Sequence, residues 1–537
     1  MWGRLSAGRR RPRPPVAALA TASVLALVLA LGGLALAFGA PRGPVVHTIV
    51  LGAYPGDLTL DPDGRYALLS TSAADPRAQA SAPGPLLVFD LRAGTLTHSI
   101  DLGMVPLAVV GDARRARFIV NGNGALTFIA MRTGHVSSTV TSPSFQPSIA
   151  VDAARDRVYG LEYGAAEVST NLDIFDARRG ALLRQVTLGG SQDLGAMDSA
   201  GDIAIDEQGG RVYVPYTSVL SVSGTRVVTD RVAVFDSLGH PVRTVTLGRF
   251  SGQTGQIGNA FPVVVDAPRG RVITVDSNMG DVSTFDERSG RLVRRLHLAA
   301  ASSIRPTMMA IAFGPFALDK QTGRVFLTIP RRQVCTFPRA SSGVSVGRCV
   351  PTGPPGRLYM LDTRTGRVLR QLPAGNDPGQ IVPDEQAGCV LVWSDGGLPP
   401  SAAAGTLRAF DALTGALRWR MSVGPGGSDR RVVVDDATGR AYLLDGQGSI
   451  APIDMRTGRA SSGETAPALA PADPASGSVD VAITHGHVVV VRANGRSVPP
   501  IDPLGWLPDG IRHLLPWQPP RPHPVLGSVS IFAAPRS

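Results

Sequence analysis

Two short patterns alternate along this chain, and their alternation restricts the fold more than any other feature of the sequence. In the first, an apolar run ends at Asp, a turn follows, and a second apolar run opens with Arg. Leu58-Thr59-Leu60-Asp61 leading to Arg65-Tyr66-Ala67-Leu68-Leu69 is one copy. Ile203-Ala204-Ile205-Asp206 to Arg211-Val212-Tyr213-Val214 and Val263-Val264-Val265-Asp266 to Arg271-Val272-Ile273 are others. In the second pattern the run ends in Phe-Asp, passes a Gly turn and re-enters a run that often closes in Leu-Gly. Leu87-Val88-Phe89-Asp90, Gly94 and Leu102-Gly103 show it in full. Both read as β-hairpins, because β-branched and aromatic runs favour strands while Asp and Gly favour the turns between them.

One hairpin of each kind makes a four-stranded antiparallel unit of about 35–75 residues with its insertions. Such a unit cannot bury both faces alone, so the units must pack side by side and close a ring. Counting the weaker copies near Ala108 and Val479 gives nine modules; if a weak copy is an excursion, seven or eight remain. Val45 to Leu51 has no preceding partner, and Ser528 to Phe532 is a third strand with no fourth. Joined, they complete one blade from both ends of the chain. The expected fold is therefore all-β, a single propeller of seven to nine four-stranded blades over residues 45–537. Composition agrees: 62 Gly and 44 Pro in 537 residues break helices throughout. With 43% hydrophobic and 18% charged residues the chain is not of the disordered class.

The modules resemble those of the YVTN-type β-propeller repeat proteins, whose habit is Asp-x-x-Gly-x-Arg-Val-Tyr-Val followed by Val-x-x-Phe-Asp-x-x-x-Gly. The resemblance spans roughly Val45 to Ser537 and implies a surface or periplasmic binding protein; the repeat itself encodes no reaction. Ala409-Phe410-Asp411-Ala412-Leu413-Thr414-Gly415-Ala416-Leu417-Arg418-Trp419 is similar to the tryptophan-docking repeat of the quinoprotein dehydrogenases that bind pyrroloquinoline quinone. Only one module carries that Trp: Trp2, Trp506 and Trp517 lie outside the repeats and Trp393 sits in another strand. The adjacent cysteine pair of that family is absent. Three functions follow in order. The first is a binding or interaction module without a catalytic constellation, engaging a protein or small-molecule ligand at a propeller face. The second is a redox enzyme with a quinone in the channel, and the third a propeller lactonase or related hydrolase. No cofactor and no metal are expected under the first.

The N-terminus reads as a membrane address. Residues 1–15 hold Arg4, Arg9, Arg10, Arg11 and Arg13 and no acid, and account for five of the formal net charge of +11. Val16 to Ala40 follows uncharged and rich in Ala, Leu and Val; as a helix its 25 residues reach ~37 Å against a hydrocarbon core of ~30 Å. A cleaved signal has an apolar region of ~7–15 residues, so the length favours a transmembrane signal-anchor. Ala35-Leu36-Ala37 nevertheless offers a cleavage site and leaves a long signal peptide, with a secreted product, as the competitor. The positive-inside rule keeps residues 1–15 cytoplasmic and sends the propeller outside the cell membrane. Beyond this segment the remaining excess of positive charge is thinly spread. Aromatics make up only 5%, which argues against a nucleic-acid partner.

Few residues offer chemistry. Cys335 and Cys349 flank a Gly/Ser-rich stretch within an insert at 331–357 and are the disulfide candidate, whereas Cys389 lies in an apolar strand as a buried free thiol. The recurrent Asp90, Asp176, Asp236, Asp286, Asp362 and Asp411 stand at strand ends before a Gly turn, the place of an Asx turn rather than a catalytic ring. The repeated Arg beside them reads as solvated or turn-pairing. His485-Gly486-His487 is a close histidine pair without an identifiable third ligand. A second insert at 493–527, rich in Pro and holding Trp506 and Trp517, interrupts the last module. It suits either an apolar patch against a membrane or partner, or a cap over the ring.

Overall fold

The computed structural model describes residues between Val46 and Ala533 apart from a number of connections, the longest being 73–83, 299–314, 337–347, 461–478 and 494–526. Val46–Ser537 is a compact unit distinct from residues 1–45. Among the described residues there is no α-helix, and none is long and apolar enough to cross a membrane; residues 16–40 lie outside them.

The unit is a nine-bladed β-propeller. Blade 1 consists of strands Tyr54–Leu60, Tyr66–Ser72, Leu86–Asp90 and Thr95–Ile100, called a to d from the axis outward. The same a-b-c-d order repeats over 106–141, 149–190, 199–252, 263–297, 316–375 and 377–425 as blades 2 to 7. Blade 8 shows Arg431–Asp435, Arg440–Leu444 and Ile450–Asp454, and a bridge from Ile453 to Ala460 starts its outer position. The innermost strand of each blade touches that of the next, and Val479–Thr484 of blade 9 touches Tyr54–Leu60 of blade 1, so the ring closes.

Closure is made as the strand order required. Blade 9 takes a, b and c from Val479–Thr484, His487–Ala493 and Gly527–Ala533, and its outer strand is Val46–Leu51 from the other end of the chain. The antiparallel register runs from Val46 opposite Phe532 to Leu51 opposite Gly527. This leaves no exposed first or last blade edge of the kind that templates aggregation. The two weak copies near Ala108 and Val479 are full blades, which fixes the count at nine.

Cores lie between blades. Along a strand, neighbouring side chains turn to opposite faces: Phe175 packs into the seam of blades 2 and 3, while Ile174 packs into the seam of blades 3 and 4. The motif residues are the fillers. Tyr159, Tyr213 and Tyr442 of the Arg-x-Tyr runs and Phe89, Phe175 and Phe410 of the Phe-Asp runs are among the largest fully buried side chains. Each fully buried aromatic or branched side chain contributes ~1.5–3 kcal/mol.

Antiparallel order gives the ring two unlike ends. All a–b and c–d turns fall at one end, where no connection exceeds five residues. All b–c and d–a connections leave from the other, including 73–85, 298–315 and 494–526. We call them the tight-turn end and the insertion end.

Candidate functional site

The tight-turn end is built by repetition of one local device. Each Phe-Asp carboxylate accepts backbone N–H groups of its own turn: Asp90 Oδ1 from Arg92 and Ala93, and Asp454 Oδ1 from Arg456 and Thr457. These are Asx turns, so the six repeated Asp are structural. In blades 1, 5 and 6 the Arg at the start of strand b then pairs across to the same carboxylate: Arg65 to Asp90, Arg271 to Asp286 and Arg324 to Asp362. In blade 7 strand b opens with Cys389 instead, and Arg418 of strand d reaches Asp411 at 2.8 Å. The Arg418 guanidinium, with the Thr414 donors, pulls the Asp411 carboxyl down to about 2.

A second set of carboxylates escaped the sequence reading of chemistry. The Asp that ends strand a is buried in blades 1 to 8; Asp266 and Asp319 are fully enclosed. A buried carboxylate is tolerated only when paired, and the partners lie in the turn that follows. Asp152 takes the Arg155 backbone N–H and its guanidinium, and Asp266 takes Arg269 and the Thr363 hydroxyl. The same arginines then hook the next blade: Arg155 donates to the Gln208 carbonyl, and Arg269 to the carbonyls of Lys320 and Gln321 at 3.0 Å. Arg114 makes the matching reach to Ala153 and Ala154.

Trp419 shows how the outer strands dock. It is 9% exposed, its Nε1–H donates to the Met455 carbonyl at 2.7 Å, and its ring lies over Gly458 of blade 8. Gly458 has a φ of +68° and a Cβ there would run into the indole, so the position requires glycine on two counts. The place is not peculiar to this blade. His47, His98, Ser138, Arg184, Arg243, Arg294 and Arg370 occupy the equivalent outer-strand position over the turn glycine of the blade that follows. Only the residue type differs, which is why a search for Trp found a single copy.

One seam holds an unusual group. Glu287, in the c–d turn of blade 5, accepts from the Tyr213 hydroxyl of blade 4 at 3.0 Å, and its backbone carbonyl accepts from Arg211. Burial, together with the neighbouring Asp206 carboxylate, pushes Glu287 up to about 7.

The insertion end has no such uniformity. Blade 4 extends three strands, Arg211–Val222, Thr225–Asp236 and Pro241–Gly252, well past the six or seven residues of strand b in blades 1 and 2. Its extension buries polar side chains, with Thr217 donating to Asp230 at 2.6 Å. Blade 6 carries its insert as a ribbon, Gln333–Thr336 against Arg348–Pro351, whose register sets Cys335 directly opposite Cys349. Cys389 is a buried free thiol, its pKa pushed up by burial to about 12. His485, Trp506, Trp517 and the 494–526 part of the last insert lie outside the described residues. His487 is half-buried at the start of strand b in blade 9, and Trp393 is core. The inner strands present half-buried aliphatics such as Val109, Ala150, Val264 and Leu318. Among the described residues no group of three or more His, Cys, Asp or Glu is placed to hold a metal ion.

Fold and repeat chemistry together define the class: a nine-bladed β-propeller of four-stranded antiparallel blades. Residues 278–498, from the middle of blade 5 into blade 9, match the family model for the outer membrane protein assembly factor BamB. No curated protein matches the sequence significantly. Among solved structures, BamB from Moraxella catarrhalis is 14% identical, covers 75% of this chain and 97% of its own, and gives a TM-score of 0.42. Sqt1 of Saccharomyces cerevisiae is 9% identical over 76% of this chain and 99% of its own, with a TM-score of 0.45. Chaetomium thermophilum Sqt1 bound to the N-terminus of the ribosomal protein L10 is 11% identical over 73% and 94%, also with a TM-score of 0.45.

Proposed function

We propose that this protein is a membrane-anchored, extracytoplasmic binding module that engages a protein partner through the insertion end of its propeller. The observation that carries the reading is the division of labour between the ends. Long connections accumulate only where the b–c and d–a connections leave the ring, and loops held on a rigid scaffold are where recognition concentrates. The opposite end is occupied by Asx turns and blade-to-blade hooks that hold the ring together. The match of residues 278–498 to an assembly-factor model supports a role in binding rather than turnover. The length and charge pattern of residues 1–40 support the anchor, and place the propeller outside.

A photo-crosslinking amino acid placed in the full-length protein tests this. Substituted at Ser401 or Ser251 on the insertion end, it is expected to give a discrete higher-mass adduct in cells. At Asp63 or Gln386 on the tight-turn end it is expected to give no protein adduct. Protein adducts confined to the tight-turn sites would sink the proposal. Mass analysis of the mature N-terminus tests the anchor separately, since a chain beginning near residue 38 is not anchored.

A further inference from the structure

We infer that the tight-turn end is a lipid-facing surface, lying on an anionic bilayer. This rests on the anchored reading above, and it adds which end of the propeller meets the membrane and through what chemistry.

Two observations converge. The first is where exposed apolar side chains fall. Among the described residues, every large hydrophobic side chain more than a third exposed lies either on a c–d turn or within the first three residues of an outer strand. Leu413 and Leu238, at 58% and 50% exposure, are turn residues; Leu417, Leu183 and Leu292 open outer strands. Scattered single exposed leucines need no explanation, but confinement of all of them to the rim of one end does.

The second is charge. The residue two after the end of strand c is an exposed arginine in six blades: Arg92, Arg178, Arg288, Arg364 and Arg456 follow an Asx aspartate, and Arg132 follows Ala130. In blades 4 and 7 the same position is Leu238 and Leu413. The turn aspartates are engaged by their own backbone N–H groups and, in blades 1, 5, 6 and 7, by Arg65, Arg271, Arg324 and Arg418, whereas the six arginine tips are not in an ion pair among the described residues. A ring of guanidinium groups interrupted by leucines is the composition of an interfacial membrane surface. The apolar groups enter the headgroup boundary and the cations meet phosphate.

Full-length protein in nanodiscs tests the inference by amide hydrogen exchange of the turns at 90–94, 286–290 and 411–415. Exchange there should be slower by on the order of tenfold in phosphatidylglycerol than in phosphatidylcholine, as one to two guanidinium–phosphate contacts predict, and the difference should shrink at high salt. The variant Arg92→Ser, Arg178→Ser, Arg288→Ser, Leu238→Ser, Leu413→Ser changes only exposed turn tips and should lose the difference while keeping the same melting temperature. Equal exchange in both lipids, or slowing confined to the insertion end, overturns the inference. If the mature protein proves cleaved near residue 38, the anchor fails on its own. The surface is then judged by sedimentation of that shorter protein with phosphatidylglycerol vesicles, where absence of lipid binding overturns it.

Discussion

The two ends of this propeller are made from the same strands and obey different rules. At the tight-turn end the chain turns in five residues or fewer, and the turns are held by Asx carboxylates, buried Asp–Arg pairs and arginine hooks to the next blade. At the insertion end the connections range from one residue, between Gly375 and Asp377, to the long segment between Ala493 and Gly527. The contrast separates what holds nine blades together from what is free to vary. An antiparallel blade need only be locked at one end to be positioned, and the other end can then carry loops without loss of the ring.

The contrast is sharpest where closure itself is removed. Deleting Val46–Leu51, or ending the chain before Gly527, takes one strand from blade 9 and exposes an edge on it. Both changes should abolish the single cooperative melt of the propeller and produce aggregates on size exclusion, a far larger effect than loss of one peripheral strand. An unchanged melt would mean the ring does not depend on its termini.

Next in size is a docking residue. Trp419→Ala removes a nearly buried indole and orphans the Met455 carbonyl, so it should cost about 3–5 kcal/mol in chemical denaturation. Gly458→Ala, which clashes with the same ring, should mimic it in direction.

The insertion end is expected to hold a covalent tie. Titration of the unfolded, unreduced protein with a thiol reagent should label Cys389 alone. A closed Cys335–Cys349 loop contributes roughly 3 kcal/mol through the unfolded state, most of it local to the blade 6 ribbon. Labelling of all three thiols removes that tie.

A pH effect should trace to the seam of blades 4 and 5. Glu287 is raised from 4.5 to about 7, so the folded state holds its proton more tightly than the unfolded state. Its contribution is complete below about 4.5 and is lost as the pH rises through 7. The wild-type melting temperature should therefore fall between pH 5 and pH 8 more than that of Glu287→Gln. Parallel pH profiles would show that the seam does not titrate.

Smallest of all is the expected stability change on replacing residues 396–403, a b–c connection of blade 7, by Asn-Gly. Within ~1 kcal/mol nothing should change, although a crosslinked partner seated there should be lost. A large destabilisation would show that the insertion end is structural too.

Much of this was readable before any coordinates. Strand, turn and blade follow from local rules: Phe-Asp before a Gly turn is an Asx hairpin wherever it occurs, and Arg-Val-Tyr is a strand whose alternate residues are buried. The missing fourth strand at one terminus and the unpartnered strand at the other predicted their pairing, because unsatisfied strand edges are costly in any all-β chain. What could not be read was which surfaces meet. Trp419 was legible as a docking residue because indole is distinctive. Its counterparts His98, Ser138 and Arg243 were not, because the requirement is set by the glycine of the neighbouring blade and not by their own sequence. The buried aspartates that end strand a looked like ordinary turn residues until the packing of adjacent blades enclosed them and, at Asp266, added Thr363 to the local partner Arg269. Glu287 likewise has an ordinary local context, and its raised pKa comes from burial against the preceding blade, whose Tyr213 lies 74 residues earlier in the chain and whose Asp206 lies earlier still. Hydrophobic period and turn chemistry are properties of neighbours along the chain, and the sequence determined them. Burial, charge pairing and the separation of a locked end from a variable one are properties of neighbours in space, and only the closed ring decided those.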